Sequence, residues 1–434
     1  MKRFFFILIA TLSFCLISCG EKRKTITVWT DRAEMASYLE LFNVEMNDVK
    51  AVIVYKEQLA TSLPPMKDEP RPDVIIGSLL QNSKTKKNFI SLESMLGEKN
   101  KKGEIGKNKI DKENFYNSLL DYGKIEGKQY LLPVSFNLPI MIFSNENKKY
   151  ISDKYTIEMD EIKEIAAEYN AKNSTGIYTR MGFAPSWNAN FIYSAVKMNG
   201  ADFREGENTI VWNDSALDMM IEYMKDWTSE TNSSTAAEQD FSFKYLYTPS
   251  YKQISSGRCL FSYSTTDEFF SLAPEQIERS DFRWLTREGM IFAEDDITTV
   301  GIYKHAKNKS LAKNFIRWFL TSDNQKRLLD RSETMNLGTK TFGICHGFSS
   351  LKLVNERYFP TFYKNLIGNL PGESSIQSPF ALPPRWKSLK ERVIIPYITE
   401  ASMSDVQENL NVSTNKKDIQ TIEERLKNWS KQFN

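Results

Sequence analysis

Histidine is nearly missing. Two occur in 434 residues, His305 and His346, so a site built from several imidazoles is not expected, and neither a metal nor any other cofactor is assigned. Excess charge is missing as well. With 57 basic and 55 acidic residues the chain carries 57 − 55 = +2, too little to attract a polyanion from a distance, so no nucleic-acid partner is expected. Four cysteines are too few for a disulfide framework. The common catalytic signatures are absent too. There is no Gly-x-Ser-x-Gly elbow, no phosphate loop ending Gly-Lys-Ser/Thr, no His-Glu-x-x-His and no Gly-x-Gly-x-x-Gly. The acidic run Glu294-Asp295-Asp296 does not make a glycosidase pair, because adjacent acids point different ways and are usually solvated. An enzyme is not expected. Apolar side chains are plentiful, at 41% hydrophobic and 12% aromatic, enough for a packed core over most of the chain. At about 150 residues per domain the length implies two or three domains, or two lobes sharing one chain.

The first residues set the compartment. Met1-Lys2-Arg3 is a short positive start, and an apolar run follows from Phe4 to Ile17. That run is shorter than the ~20 residues a membrane-spanning helix needs, and it lies where a signal peptide should. It ends Leu16-Ile17-Ser18-Cys19-Gly20, which resembles the lipobox of bacterial lipoproteins. The resemblance implies a signal peptide over residues 1–18, a diacylglycerol on Cys19 and a lipid-anchored tether over residues 19–24. Two or three acyl chains hold a protein firmly to a bilayer, at ~0.8 kcal/mol per buried methylene. The competing readings are an ordinary secretory signal with an incidental cysteine, or a short membrane anchor. Cleavage removes Lys2 and Arg3, so the mature charge becomes 55 − 55 = 0. Cys259 and Cys345 remain, and two cysteines of this kind are more often buried and inert than paired.

The mature chain opens with the rhythm of an α/β unit. Thr25 to Trp29 alternates as a strand, Met35, Leu39 and Phe42 recur at helical spacing, and Val49 to Tyr55 reads as a second strand. Pro72-Asp73-Val-Ile-Ile-Gly77 gives a third. Sites in such sheets lie beyond the carboxyl ends of the strands, here Trp29-Thr30-Asp31 and Gly77-Ser78. Nine lysines between residues 84 and 112 read as a solvated loop with a frayed helix. The proline-broken run Tyr130 to Phe143 reads as a crossover between lobes. Helical stripes follow through Ile162–Tyr169, through Leu217–Met224 with Asn213 or Asp214 as N-cap, and through Leu311–Phe319. Ser322 and Gln325 suggest a capping box opening a short helix that ends near Asp330.

The order of these motifs resembles the extracellular solute-binding proteins of ATP-binding-cassette importers, specifically the sugar-type family 1. It rests on the lipobox, Ile26-Thr-Val-Trp29, Pro72-Asp73-Val-Ile-Ile, and Leu132-Pro133-Val134 followed by Phe143-Ser-Asn145. Ser256-Gly257-Arg258-Cys-Leu-Phe261 and the stretch from Val300-Gly301-Ile302 to Gln325 complete it. The resemblance implies an α/β, two-lobed periplasmic-binding-protein-like fold of type II, each lobe a sheet flanked by helices, joined by a multi-strand hinge. By that analogy one lobe takes residues 25–135 plus 286–332 and the other 136–285 plus 333–434. It also implies a monomer that holds a small polar solute, a mono- or disaccharide, in the interlobe cleft and delivers it to ABC permease subunits. The lipid would keep it on the membrane, facing the periplasm or the outside. The alternatives are a lipoprotein that keeps the fold as a sensor or surface adhesin without transport, and a receptor for a metal or other non-sugar solute.

A sugar site needs flat aromatic faces for C–H surfaces and polar groups for hydroxyls. By position in the family the expected ligand contacts are Trp29, Asp31, Asn137, Trp187 and Trp386. Many relatives carry a glycine and a tryptophan after the strand matching Cys259 to Tyr263. Here that segment reads Ser264-Thr265-Thr266-Asp267-Glu268, which places Asp267 among the candidates and points to a compact, polar ligand.

Overall fold

The structure is a computed structural model that describes residues 23–152, 154–207, 209–334, 341–403 and 419–432. The leader, Cys19 and most of the expected tether lie outside the described residues. The chain lays down β1 (Lys24–Thr30), β2 (Val49–Tyr55), β3 (Val74–Gly77) and β4 (Leu132–Phe136) in one sheet. It crosses through residues 137–138 to a second sheet of β5 (Pro139–Ser144), β6 (Thr156–Glu158), β7 (Ser262–Thr265) and β8 (Ser280–Thr286). Residues 287–297 bring it back to the first sheet, where β9 (Thr298–Ile302) and β10 (Phe348–Ser349) are added. The first sheet runs β10-β4-β9-β3-β1-β2 and the second β6-β8-β5-β7.

β1 pairs parallel with β2 and β3, while β9 runs antiparallel to β3 and β4. The parallel pairs need crossovers, and α1 (Met35–Glu45) supplies the first by burying Met35, Tyr38, Leu39 and Phe42 against the sheet. In β5 the side chains alternate between two cores. Ile140 and Ile142 join the first with Phe282 and Trp284, and Met141 and Phe143 join the second. The prolines at 133 and 139 thus fall in two different strands on either side of the crossing.

The second core gathers around α2 (Ala189–Val196) and α3 (Asp214–Asn232), whose Leu217, Met220, Ile221, Met224 and Trp227 face inward. Asn213 caps α3 by accepting from the Ala216 N–H at 3.3 Å. In the first lobe, α4 (Lys309–Phe319) leads into α5 (Ser322–Thr334). The expected Ser322–Gln325 capping box is not formed. Gln325 is buried, giving its amide to the Phe319 carbonyl (3.2 Å) and accepting the Ser349 hydroxyl (2.5 Å), and the helix continues to Thr334.

The late part of the chain departs from the expected lobe boundary. Residues assigned to the second lobe from 333 onward instead enter the first core as Phe342, Ile344, Phe348, Val354, Phe359 and Leu366. β10 attaches them to the sheet edge beside β4, and an aromatic cluster holds them there. Phe342 stacks on Phe270 at 4.8 Å, and Phe348 packs against Phe359 and Trp284. Only after the short parallel pair Ile291–Phe292 with Ile376–Gln377 does the chain reach the second core, at Leu382.

Candidate functional site

The carboxyl ends of β1, β2 and β3 form one wall of a cleft of about 550 Å³. Asp31, Gln58, Thr61 and Ser78 line that wall, and Arg385, Lys387, Ser388 and Arg392 of the second lobe line the other. Asp31 follows β1 directly. Its carboxylate accepts the Ser78 N–H (3.2 Å) and hydroxyl (3.1 Å), and Arg32 lies 3.4 Å away. This placement requires Gly77. A Cβ there would fall 2.5 Å from Asp31 Oδ1 and 2.4 Å from Leu59. Oδ1 of Asp31 is buried with no hydrogen-bond partner. Burial pushes the Asp31 carboxyl above its usual pKa despite Arg32 and Ser78. Oδ1 is the oxygen that faces the Arg32 Nε, at 3.4 Å.

The lobes meet at the rim of this cleft. Leu79, in the left-handed region at φ 56°, packs with the second core. Ser83 donates its N–H (2.6 Å) and hydroxyl (2.9 Å) to the carboxylate of Glu205 across the gap.

The hinge is stitched by buried polar groups. Asn137 gives its amide to the His346 carbonyl (2.8 Å) and accepts from the Thr266 hydroxyl (2.9 Å), and its own carbonyl takes the Glu294 N–H (2.9 Å). In the returning connection the three consecutive acids each find a different partner. Glu294 accepts from Tyr263 (3.4 Å), and Asp296 lies 3.7 Å from Arg32 of the first lobe. Asp295 is buried and accepts from Tyr193 (2.6 Å), Trp386 (2.8 Å), Lys197 (3.0 Å) and Lys390 (3.5 Å), all of the second lobe. Burial opposes ionisation of Asp295, but the two lysines and the two neutral donors outweigh it and hold the carboxyl well below the usual carboxylate range. Lys197 is likewise held above its ordinary value, Asp295 and Glu294 overcoming its desolvation. The expectation that these acids point different ways agrees with the geometry. The expectation that they are solvated does not hold for Asp295.

Of the expected ligand contacts, Asp31 alone lines this cleft. Trp29 is fully buried behind it, with the Lys56 ammonium 4.7 Å above its ring. Trp386 presents no face to the cleft. It is 1% exposed, packs against Phe203 and Tyr193, and spends its N–H on Asp295, while its neighbours Arg385 and Lys387 form the wall. Asn137 is consumed by the hinge. Asp267 faces His346 at 3.3 Å, and the other imidazole nitrogen lies 3.8 Å from Glu34 of the first lobe. Trp187 stacks on Phe241 (5.5 Å, 17°) and donates to the Glu238 carbonyl. Its surroundings are a separate cavity of about 390 Å³ inside the second lobe, shared with Tyr251, Tyr263 and Glu268. The expected pair of stacking tryptophans is thus not assembled in the cleft. Ser78 stood at a strand end named from the sequence, but Gln58 and Thr61, at and within the short 3-10 turn Leu59–Ser62, and Ser388, in the one-turn helix Trp386–Leu389, lie in elements too short to show periodicity.

Cys259 and Cys345 are free and buried. No helix among the described residues is long and apolar enough to cross a membrane. No group of three or more His, Cys, Asp and Glu among them is placed to hold a metal ion.

Among curated protein sequences no significant match to the chain is found. Solved structures share its fold at low identity. The maltose-binding periplasmic protein of Listeria monocytogenes in complex with maltose is 16% identical, with 95% of this chain and 99% of that chain covered at a TM-score of 0.58. The GacH receptor of Streptomyces glaucescens, solved unliganded and with acarbose, is 12% identical over 95% and 98% at 0.58. A family 1 extracellular solute-binding protein of Alicyclobacillus acidocaldarius is 13% identical over 95% and 98% at 0.59. Residues 30–326, more than half of the chain, match the family described as bacterial extracellular solute-binding protein. With two lobes, a hinge crossed at residues 137–138 and 287–297, and a cleft at the strand ends, the chain belongs to that family.

Proposed function

We propose that this protein is a lipid-anchored receptor that captures a mono- or disaccharide in the interlobe cleft and passes it to the permease of an ABC importer. The observation that carries the reading is the cleft itself. Its volume suits a small solute. Asp31 stands at a strand end with its carboxylate fixed by Ser78, and hydroxyls and amides of both lobes and cations of the second line the space beside it. A sugar satisfies such groups at once, because each ring hydroxyl both donates and accepts. The maltose complex among the structural neighbours agrees with a disaccharide, and the acarbose complex with a saccharide in general. Asp31 is assigned the central contact. Asn137 and Trp386 are assigned to positioning, through the hinge and through Asp295.

Mass spectrometry of small molecules released by denaturing the purified protein, followed by calorimetry with the identified compound, tests the reading. The expected result is a mono- or disaccharide whose binding falls at least about tenfold in Asp31→Asn, a loss of roughly 1.4 kcal/mol. Release of a metal ion, a peptide or a long glycan alone would overturn it. The anchor is tested separately. Cys19→Ser should abolish the lipid mass and release the protein from membranes, and unchanged mass and fractionation would remove the anchor from the assignment.

A further inference from the structure

A nearly neutral chain conceals a concentration of positive charge. β1, β2 and β3 are parallel, so their amino ends share one pole of the first lobe, and the antiparallel β9 delivers its carboxyl end there. Three hydrogen bonds fix the assembly. The Lys24 N–H donates to the Asp48 carbonyl (3.0 Å), the Tyr303 N–H to the Asp73 carbonyl (3.2 Å) and the Asn308 amide to the Thr25 carbonyl (2.9 Å). This arrangement gathers Lys24, Lys50, Arg71, Lys304, Lys307 and Lys309. All six are exposed, and none has an ion-pair partner among the described residues. Arg23 adds a seventh cation. The acids near them are few. Asp48 and Asp68 are exposed, whereas Asp73 is buried with its oxygens taken by the N–H groups of Thr27 and Asn308.

We infer that this pole is a docking surface for anionic phospholipid head groups. The inference rests on the anchor reading for its geometry. Arg23 lies four positions after Cys19, and a fully extended chain spans at most ~3.6 Å per residue, so the edge of the pole at Arg23 stays within roughly 14 Å of the acylated cysteine. Held that close, it lies within a Debye length or two of the bilayer, about 8 Å each at physiological ionic strength. Clusters of lysine and arginine beside a membrane anchor bind acidic head groups by this proximity. The cleft lies at the other end of the same strands, roughly 20 Å away, and is turned from the lipid toward the solute.

The test uses the full chain, purified and reconstituted in vesicles of phosphatidylcholine alone or with about 30 mol% phosphatidylglycerol. Lysines are labelled with a membrane-impermeant acylating reagent and read by mass spectrometry. Labelling of Lys304, Lys307 and Lys309 should fall at least about fivefold on the anionic vesicles and recover in about 0.5 M salt. Lys387, at the cleft, should label equally on both. The triple variant K304E/K307E/K309E should lose the protection of Lys24 and Lys50. Equal labelling of the pole on the two vesicles would overturn the inference, as would protection by duplex DNA but not by phosphatidylglycerol. An intact mass showing unmodified Cys19 would remove the anchor alone, and protection by anionic vesicles added to that protein would still support the pole.

Discussion

Replacing Asp295 by asparagine preserves its shape and removes its charge, and the consequence follows from its surroundings. Tyr193, Trp386, Lys197 and Lys390 all present donors to this carboxylate. An asparagine would turn an NH₂ group toward them and leave Lys197, whose side chain is 11% exposed, without its nearest counter-ion. Breaking a buried pair from one side costs about 3–5 kcal/mol. With an unfolding entropy of about 2.1 cal/mol/K per residue, a chain of this length loses roughly 1 °C per kcal/mol, so the melting temperature should fall by about 3–6 °C. Asp296, with a side chain 52% exposed and 3.7 Å from Arg32, is the internal control, since exposed pairs contribute less than about 1 kcal/mol. The pH dependence has a definite sign. The Asp295 carboxyl is held below its unfolded value, so its stabilisation is present above the unfolded pKa of about 3.9 and is lost only as pH falls through the lower folded value. The deficit of D295N should therefore be flat between about pH 5 and 8. Thermal and urea denaturation of both variants would measure it. An Asp295→Asn protein melting within about 2 °C of the parent, or no worse than Asp296→Asn, would refute the reasoning.

Glu205→Ala should speed amide hydrogen exchange at Ser83 while leaving the β-strand cores protected; unchanged exchange there would mean the contact does not hold the lobes together. His346 is held above its ordinary pKa by its hydrogen bond to Asp267, so its contribution to stability is complete below about pH 6.5 and lost as pH rises through the folded value. His346→Gln should accordingly flatten the fall in stability from neutral to alkaline pH, and an identical slope would contradict the bridge. Burial pushes the Cys259 thiol up to about 12 and the Cys345 thiol upward as well, so neither should react with a thiol reagent in the native protein and both should react in denaturant. A native mass two protons light would reveal a disulfide between two thiols that are free in the structure.

The early strands were legible because each obeys a local rule. Ile26–Trp29, Val49–Tyr55 and Val74–Gly77 alternate or run apolar between turn residues, and α1 shows its buried stripe at Met35, Leu39 and Phe42. The crossover at Asn137 could be read because two prolines rule out one continuous central strand. Residues 342–376 gave no such signal. Their place in the first core depends on a two-residue strand and on contacts among Phe270, Phe342, Phe348 and Phe359, which are distant in sequence. The candidate site was legible at Asp31, where the end of a strand fixes the position. The tryptophans misled because an indole in a Pro-rich, polar setting has the same sequence appearance whether its ring faces solvent or, as at Trp386, a buried carboxylate supplied from residue 295. The pairing of distant segments decides which, and local pattern does not report it.

The three consecutive acids also bear on what evolution can do with the connection that carries them. Asp295 and Asp296 sit together in a turn, and from it Asp295 goes to one lobe while Asp296 goes to the other. Inserting or deleting a residue beside this turn would carry both acids away from their partners, leaving Arg32 without Asp296 and Lys197 and Lys390 without Asp295. The length of this connection is therefore expected to be invariant wherever the lysine pair is kept, even as its composition drifts. Loops that do not tie the two lobes together, such as the lysine-rich excursion between Leu96–Gly97 and Ile110–Asp111, are free to grow and shrink.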